Sequence, residues 1–199
     1  LYDHRDKKAL LTRVLVSNSK LFQSIVELEK TSLAKRSRKL FTLSAIYQAT
    51  RALLADIRFD TEDQLDKTVA FFWNEVAKQI KEWPLVQKEK MAAGDVRNDF
   101  VHSYGVALHA LGHVGNAILK RKVDLSKSLQ KLSEINWRRS NAALWEGRAM
   151  TGGQICKSRQ NVILTANAIK KALDLPLTPE EQRIEDAFMR GDYAQKTAA

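Results

Sequence analysis

Apolar residues recur along this chain at intervals of three and four, the 3.6-residue rhythm that gives a helix one buried face. No convincing two-residue alternation interrupts it. The spacing predicts a first helix over about 6–16, burying Leu10, Leu11, Val14 and Leu15. A short amphipathic piece carries Leu21, Phe22, Ile25, Val26 and Leu28. The basic run AKRSRK, Ala34 to Lys39, then opens a stronger helix to about Ile57, with Leu40, Leu43, Ile46, Tyr47, Leu53, Leu54 and Ile57 as its stripe. Thr61-Glu62-Asp63-Gln64 has capping-box spacing. The helix behind it should bury Leu65, Val69, Phe72, Trp73, Val76, Ile80 and Trp83 and stop near Pro84.

A shorter helix follows to about Gly94, then a long one over about 96–120. Gly105, Gly112 and Gly115 each weaken that helix by roughly 1 kcal/mol relative to Ala. They are therefore expected where a neighbouring helix comes close. Asp124 or Ser126 can cap a helix reaching about Ile135, and 161–173 reads as helix again. Thr178-Pro179-Glu180-Glu181 combines a cap hydroxyl, Pro at the first position and Glu three after the cap. The helix it starts should end before Gly191, leaving Ala194–Ala199 as a frayed tail. The fold class predicted is all-α, a multi-helix orthogonal bundle of roughly seven to nine helices forming a single domain over 1–199.

Charge changes the picture more than composition does. The chain carries a net +10, with +6 in residues 1–60 and +9 in residues 120–171, while 61–119 holds −2 and 172–199 holds −3. Two separate basic blocks point to an anionic partner. A single cysteine excludes an internal disulfide framework, and no apolar run approaches the roughly 20 residues needed to span a bilayer. A cytoplasmic protein without membrane contact is expected.

Catalytic patterns are scarce. The chain has no Walker lysine loop, no Gly-x-Ser-x-Gly elbow and no dinucleotide glycine fingerprint. His102, His109 and His113 would share one face of a continuous helix, but the Glu that follows the first His of a zincin helix is missing. Packing is the simpler reading, so no metal and no cofactor is assigned. Cys156 has Arg148, Lys157 and Arg159 near it in sequence but no neighbouring His as base. An enzyme is not expected.

The densest chemistry lies in NWRRSNAALWEGRAMTGGQICKSRQN, Asn136 to Asn161. On a helix, Trp137, Asn141, Leu144 and Trp145 share a face best read as core. Arg138 points away from it, and Arg139 aligns with Ala143 and Glu146 on a solvent face. Gly152-Gly153 breaks the pattern, and Lys157, Ser158 and Arg159 stand at a helix start suited to phosphate. Lys120, Arg121 and Lys122 precede the segment. The predicted DNA-contacting set is therefore Arg138, Arg139, Arg148, Lys157, Arg159, Lys120, Arg121 and Lys122, with Lys35, Arg36, Arg38 and Lys39 as a second cluster.

Four segments taken together, LYDHRD at Leu1 to Asp6, EKTSLAKRSRKLFTLSAIYQAT at Glu29 to Thr50, INWRRSNAALWEGRAM at Ile135 to Met150 and LDLPLTPEE at Leu173 to Glu181, resemble the DndB family of DNA sulfur modification proteins. These are DGQHR-domain proteins found beside bacterial DNA phosphorothioation genes. The DGQHR motif itself is absent here, so the resemblance implies the helical C-terminal portion of a longer protein whose N-terminal DGQHR domain is missing. It also implies a DNA-binding transcriptional regulator, chiefly a repressor, of the modification cluster. Double-stranded promoter DNA is the partner expected, with homo-oligomers and contact to its own N-terminal domain as further expectations. The alternative is a helical scaffold of a DNA-modification or restriction system that does not touch DNA.

Overall fold

The computed structural model describes residues 4–193, with side chains from residue 11 onward. The tail expected to fray at Ala194–Ala199, the side chain of Leu10 and the segment Leu1–Asp3 lie outside the described residues. The chain is mostly helical, as its periodicity predicts. In order come α1 (His4–Asn18), α2 (Lys20–Ile25), α3 (Leu43–Leu53), α4 (Glu62–Gln79), α5 (Glu82–Gln87), α6 (Ala93–Asp99), α7 (Gly105–Arg121), α8 (Leu125–Leu129), α9 (Ala142–Trp145), α10 (Arg159–Ala172) and α11 (Pro179–Met189). Two small strand pairs, which the periodicity did not reveal, complete it. β1 (Val26–Glu27) runs parallel to β2 (Phe41–Thr42), and β3 (Met150–Thr151) pairs antiparallel with β4 (Gln154–Ile155).

Helix α7 is the central element, packed most extensively against α3 on one side and α10 on the other. Gly112 and Gly115 permit the approach, whereas a Cβ on Gly105 would meet only Ala45 Cβ at an ordinary 3.7 Å. A Cβ on Gly112 would collide with the Ala49 carbonyl oxygen, and one on Gly115 would meet Leu53 Cδ1 at 2.6 Å and the Phe72 ring. Asn116 adds a polar clamp, donating to the carbonyls of Leu53 (2.9 Å) and Ala55 (2.7 Å) where α3 ends. This close contact is internal to the chain. Below it, Trp73, Trp83, Phe22, Phe41 and Phe72 form an aromatic core of edge-to-face pairs. Trp73 Nε1 donates to Thr50 Oγ1 at 3.1 Å, so its one polar atom is satisfied.

Helix ends follow local chemistry closely. Thr61 accepts from Gln64 N–H, although the Gln64 amide reaches back to Asp60 N–H and not to the cap itself. Asp124 caps α8, Ser158 caps α10, and Thr178 with Glu181 forms a full capping box on α11. Two long helices break earlier than their apolar stripes suggest. The ring of Pro84 cannot coexist with a helical carbonyl at Ile80, so α4 stops at Gln79 and Trp83 joins the core from α5. The helix expected over 96–120 is interrupted at Phe100–Tyr104. There Phe100 bridges to Arg138, Val101 N–H donates to Trp137 O (2.9 Å), and the Ser103 hydroxyl donates to Phe100 O (2.7 Å). The pairing with the distant 137–138 segment and the local Ser103 bond replace those a continuous helix would make.

Candidate nucleic-acid interface

The short helix α6 supports both of the basic segments nearest to it. Toward residues 34–39, Arg97 extends its guanidinium under the loop and donates to the carbonyls of Lys35 (2.9 Å), Ser37 (3.0 Å), Ala34 (3.5 Å) and Lys39. Gathering four carbonyls on one cation turns the loop's backbone inward, and Lys35, Arg36 and Arg38 remain exposed. Lys39 is instead spent on structure, donating to Gln23 O (2.8 Å) and Ser24 O (2.9 Å) at the end of α2.

Toward residues 138–139, the C-terminal end of α6 holds the second segment. Arg139 N–H donates to Asp99 O (2.8 Å), and its guanidinium reaches Asn98 O (3.2 Å), Tyr104 Oη (3.3 Å) and Gly153 O (2.8 Å). Arg139 is thus half-buried, a staple between α6 and the β3–β4 hairpin, and the free solvent position expected for it is corrected. Arg138 stays exposed over the Phe100 ring, 4.9 Å from its centroid, with Asp99 at 3.9 Å. Trp137 and Trp145 are stacked in the core at 5.3 Å as the spacing predicts, but Trp137 sits in extended chain and only Trp145 lies on a helix. Arg97 and Asp99 are two residues apart on one helix, so the two basic segments are held within about 20 Å of each other.

The hairpin tip is tied to Arg139 through Gly153 O. Gly152 and Gly153 both have positive φ (57° and 72°), the pairing a two-residue type I′ turn requires. Glu146 accepts both of their N–H groups. Just beyond, Lys157 and Arg159 are exposed at the start of α10, with Arg159 3.8 Å from Glu180.

Two parts of the expected set are elsewhere. Arg148 is only 7 % exposed and makes a bidentate pair with Glu185 (2.6 and 2.9 Å), a bond to Leu164 O (3.0 Å) and a stack on Phe188. The expectation of Arg148 on the basic exterior is therefore corrected, because a carboxylate from α11 covers it. Lys120, Arg121 and Lys122 lie at the far end of α7, a helix of 17 residues and so about 25 Å long, where Lys120 faces Asp56 at 3.7 Å. They stand at the opposite end of α7 from Tyr104, the residue that meets Arg139.

A family model described as DndB: DNA-sulfur modification-associated matches residues 1–176. The chain belongs to the DndB family. No curated protein and no solved structure matches it.

In this DndB-family chain the three histidines do not share a helix face. His102 sits in the 3-10 turn Val101–Ser103, fully buried, its Nδ1 accepting from Trp83 Nε1 (3.2 Å) and its Nε2 3.2 Å from Glu82 Oε2. Burial lowers the His102 pKa against the pull of Glu82. That leaves a neutral ring whose Nε2–H faces the Glu82 carboxylate. His109 and His113 stack at 5.1 Å on α7, and burial with His109 and Lys170 nearby pushes His113 down to about 4. Among the described residues, no group of three or more His, Cys, Asp or Glu could hold a metal ion. No described helix is long and apolar enough to cross a membrane. Sequence reasoning missed Arg97 and Glu185 entirely. Both lie in polar stretches, and only their partners, distant in sequence, distinguish them from ordinary surface charges.

Proposed function

We propose that this chain is a DNA-binding regulatory module, acting as a transcriptional repressor of DNA sulfur-modification genes and gripping the phosphate backbone of duplex DNA. The observation that carries it is the double role of α6, which supports exposed Lys35, Arg36 and Arg38 on one side and exposed Arg138 on the other. Segments from both basic blocks are thereby anchored to one short helix, which supports their acting together. Membership of a DNA-sulfur modification-associated family supports the same reading. With Lys157 beside the hairpin, about five phosphate contacts give a log–log salt slope near −4 to −5 on duplex DNA. Anisotropy titrations of labelled promoter duplex across a salt series test this. A flat response, or no binding at low salt, refutes it. The contacts go to phosphates, so Arg36→Gln with Arg38→Gln should weaken all duplexes about equally.

A further inference from the structure

Helix α11 is attached in an unusual way for an amphipathic helix. Its one buried residue is a carboxylate, Glu185, at 1 % exposure, while Met189 is 70 % exposed. Four groups converge on that carboxylate and its neighbour one turn away. Arg148 and Asn167 donate to Glu185 together with Lys171 (2.6 Å), and Lys170 donates to Glu181 at 2.5 Å. Three cations and an amide pointing at one place form a built anion pocket. It is filled by a carboxylate from the same chain.

The charge pattern extends beyond the pocket. Glu180, Glu181, Glu185 and Asp186 outnumber Arg183 on α11, and Glu180 lies 3.8 Å from exposed Arg159 at the edge of the candidate interface. Glu180, Glu181 and Glu185 thus meet Arg159, Lys170 and Lys171, cations at both ends of α10. The α11 carboxylates hold the positions at which phosphate oxygens would meet Arg148, Lys170 and Lys171. The match to the DndB family stops at residue 176, before α11 begins, whereas Arg148, Lys170 and Lys171 fall within it.

We propose that α11 is an autoinhibitory strap that occupies a second phosphate-binding pocket, formed by Arg148, Asn167, Lys170 and Lys171, and is displaced by duplex DNA. This rests on the DNA-binding reading and adds a masked site to it. Docking held by ion pairs is the kind a polyanion can compete away, since each carboxylate released is replaced by a phosphate. A helix fixed by apolar burial would offer no such exchange.

The full chain carrying Glu180→Gln, Glu181→Gln and Glu185→Gln tests it, with duplex-DNA affinity read by anisotropy at fixed salt. Asp60→Asn, Asp63→Asn and Asp66→Asn on and before α4 make a charge-matched control. Affinity should rise at least tenfold in the strap variant and less than threefold in the control, and adding Lys171→Gln should remove most of the gain. Equal gains in the two overturn the strap while leaving DNA binding intact. Failure of every variant and of the unaltered chain to bind overturns both. Should the triple variant fold poorly, hydrogen exchange on the unaltered chain decides. Saturating duplex should speed exchange of α11 amides about tenfold, and unchanged or slower exchange there with DNA bound overturns the strap.

Discussion

Replacing Arg148 by Met removes a guanidinium that supplies two of the hydrogen bonds on buried Glu185, the donor to Leu164 O and the cation over Phe188. Removing one partner of a buried ion pair typically costs 3–5 kcal/mol, because the survivor stays desolvated. Here Lys171 and Asn167 remain bonded to Glu185, and the Lys171 side chain is half exposed and can follow the carboxylate. The cost should therefore fall near the low end, about 3 kcal/mol. For a chain of this size that corresponds to a fall in Tm of about 6–12 °C. Urea unfolding followed by tryptophan fluorescence measures it, with Glu185→Leu and the double variant closing a cycle. The double variant should recover at least half of the loss, since two apolar groups replace a buried pair. Arg138→Met, at the exposed site, should change stability by less than about 0.5 kcal/mol. A cost under 1 kcal/mol for Arg148→Met, or strict additivity in the cycle, would refute the buried-pair account.

Acid should weaken the same contact. Burial alone would raise the Glu185 carboxyl, but hydrogen bonds from Arg148 and Lys171 win and hold it at about 2, below the ordinary 4.5. A depressed carboxylate contributes stability that is complete above pH 4.5 and is lost as pH falls toward 2, here at most about 3 kcal/mol; Glu185→Gln should flatten the stability profile across that window. Gly112→Ala should destabilise by about 1–3 kcal/mol despite the better helix former, because the added methyl meets the Ala49 backbone and not a side chain that can yield. Chemical denaturation tests it, and a stabilised variant would show that α3 and α7 can separate freely. Arg97→Met should release the 34–39 loop, read as faster tryptic cleavage after Arg36 and Arg38 and a roughly tenfold weaker affinity for duplex. Unchanged cleavage would show that the loop does not depend on that guanidinium.

How much was legible follows from the range of the interactions. Caps and starts at Thr61, Asp124, Ser158 and Thr178 are written within four residues, and the structure contains them all. Gly112 and Gly115 announced a close helix approach because a glycine inside a helix needs a reason. Trp137 and Trp145 were recognisable as core from size and spacing, although the local backbone at Trp137 was not.

The sequence by itself determined that the chain is helical, that it is basic in two blocks and that its acidic end follows a basic stretch, since these depend on residue type and short spacing. Tertiary structure alone decided which cations reach solvent. Arg138, Arg139 and Arg148 look alike as letters, yet one is exposed, one staples α6 to the β3–β4 hairpin and one is sealed beneath Glu185 from 37 residues away. A charged side chain's role is set by what the fold brings within about 4 Å of it, and that distance has no local signature in the chain.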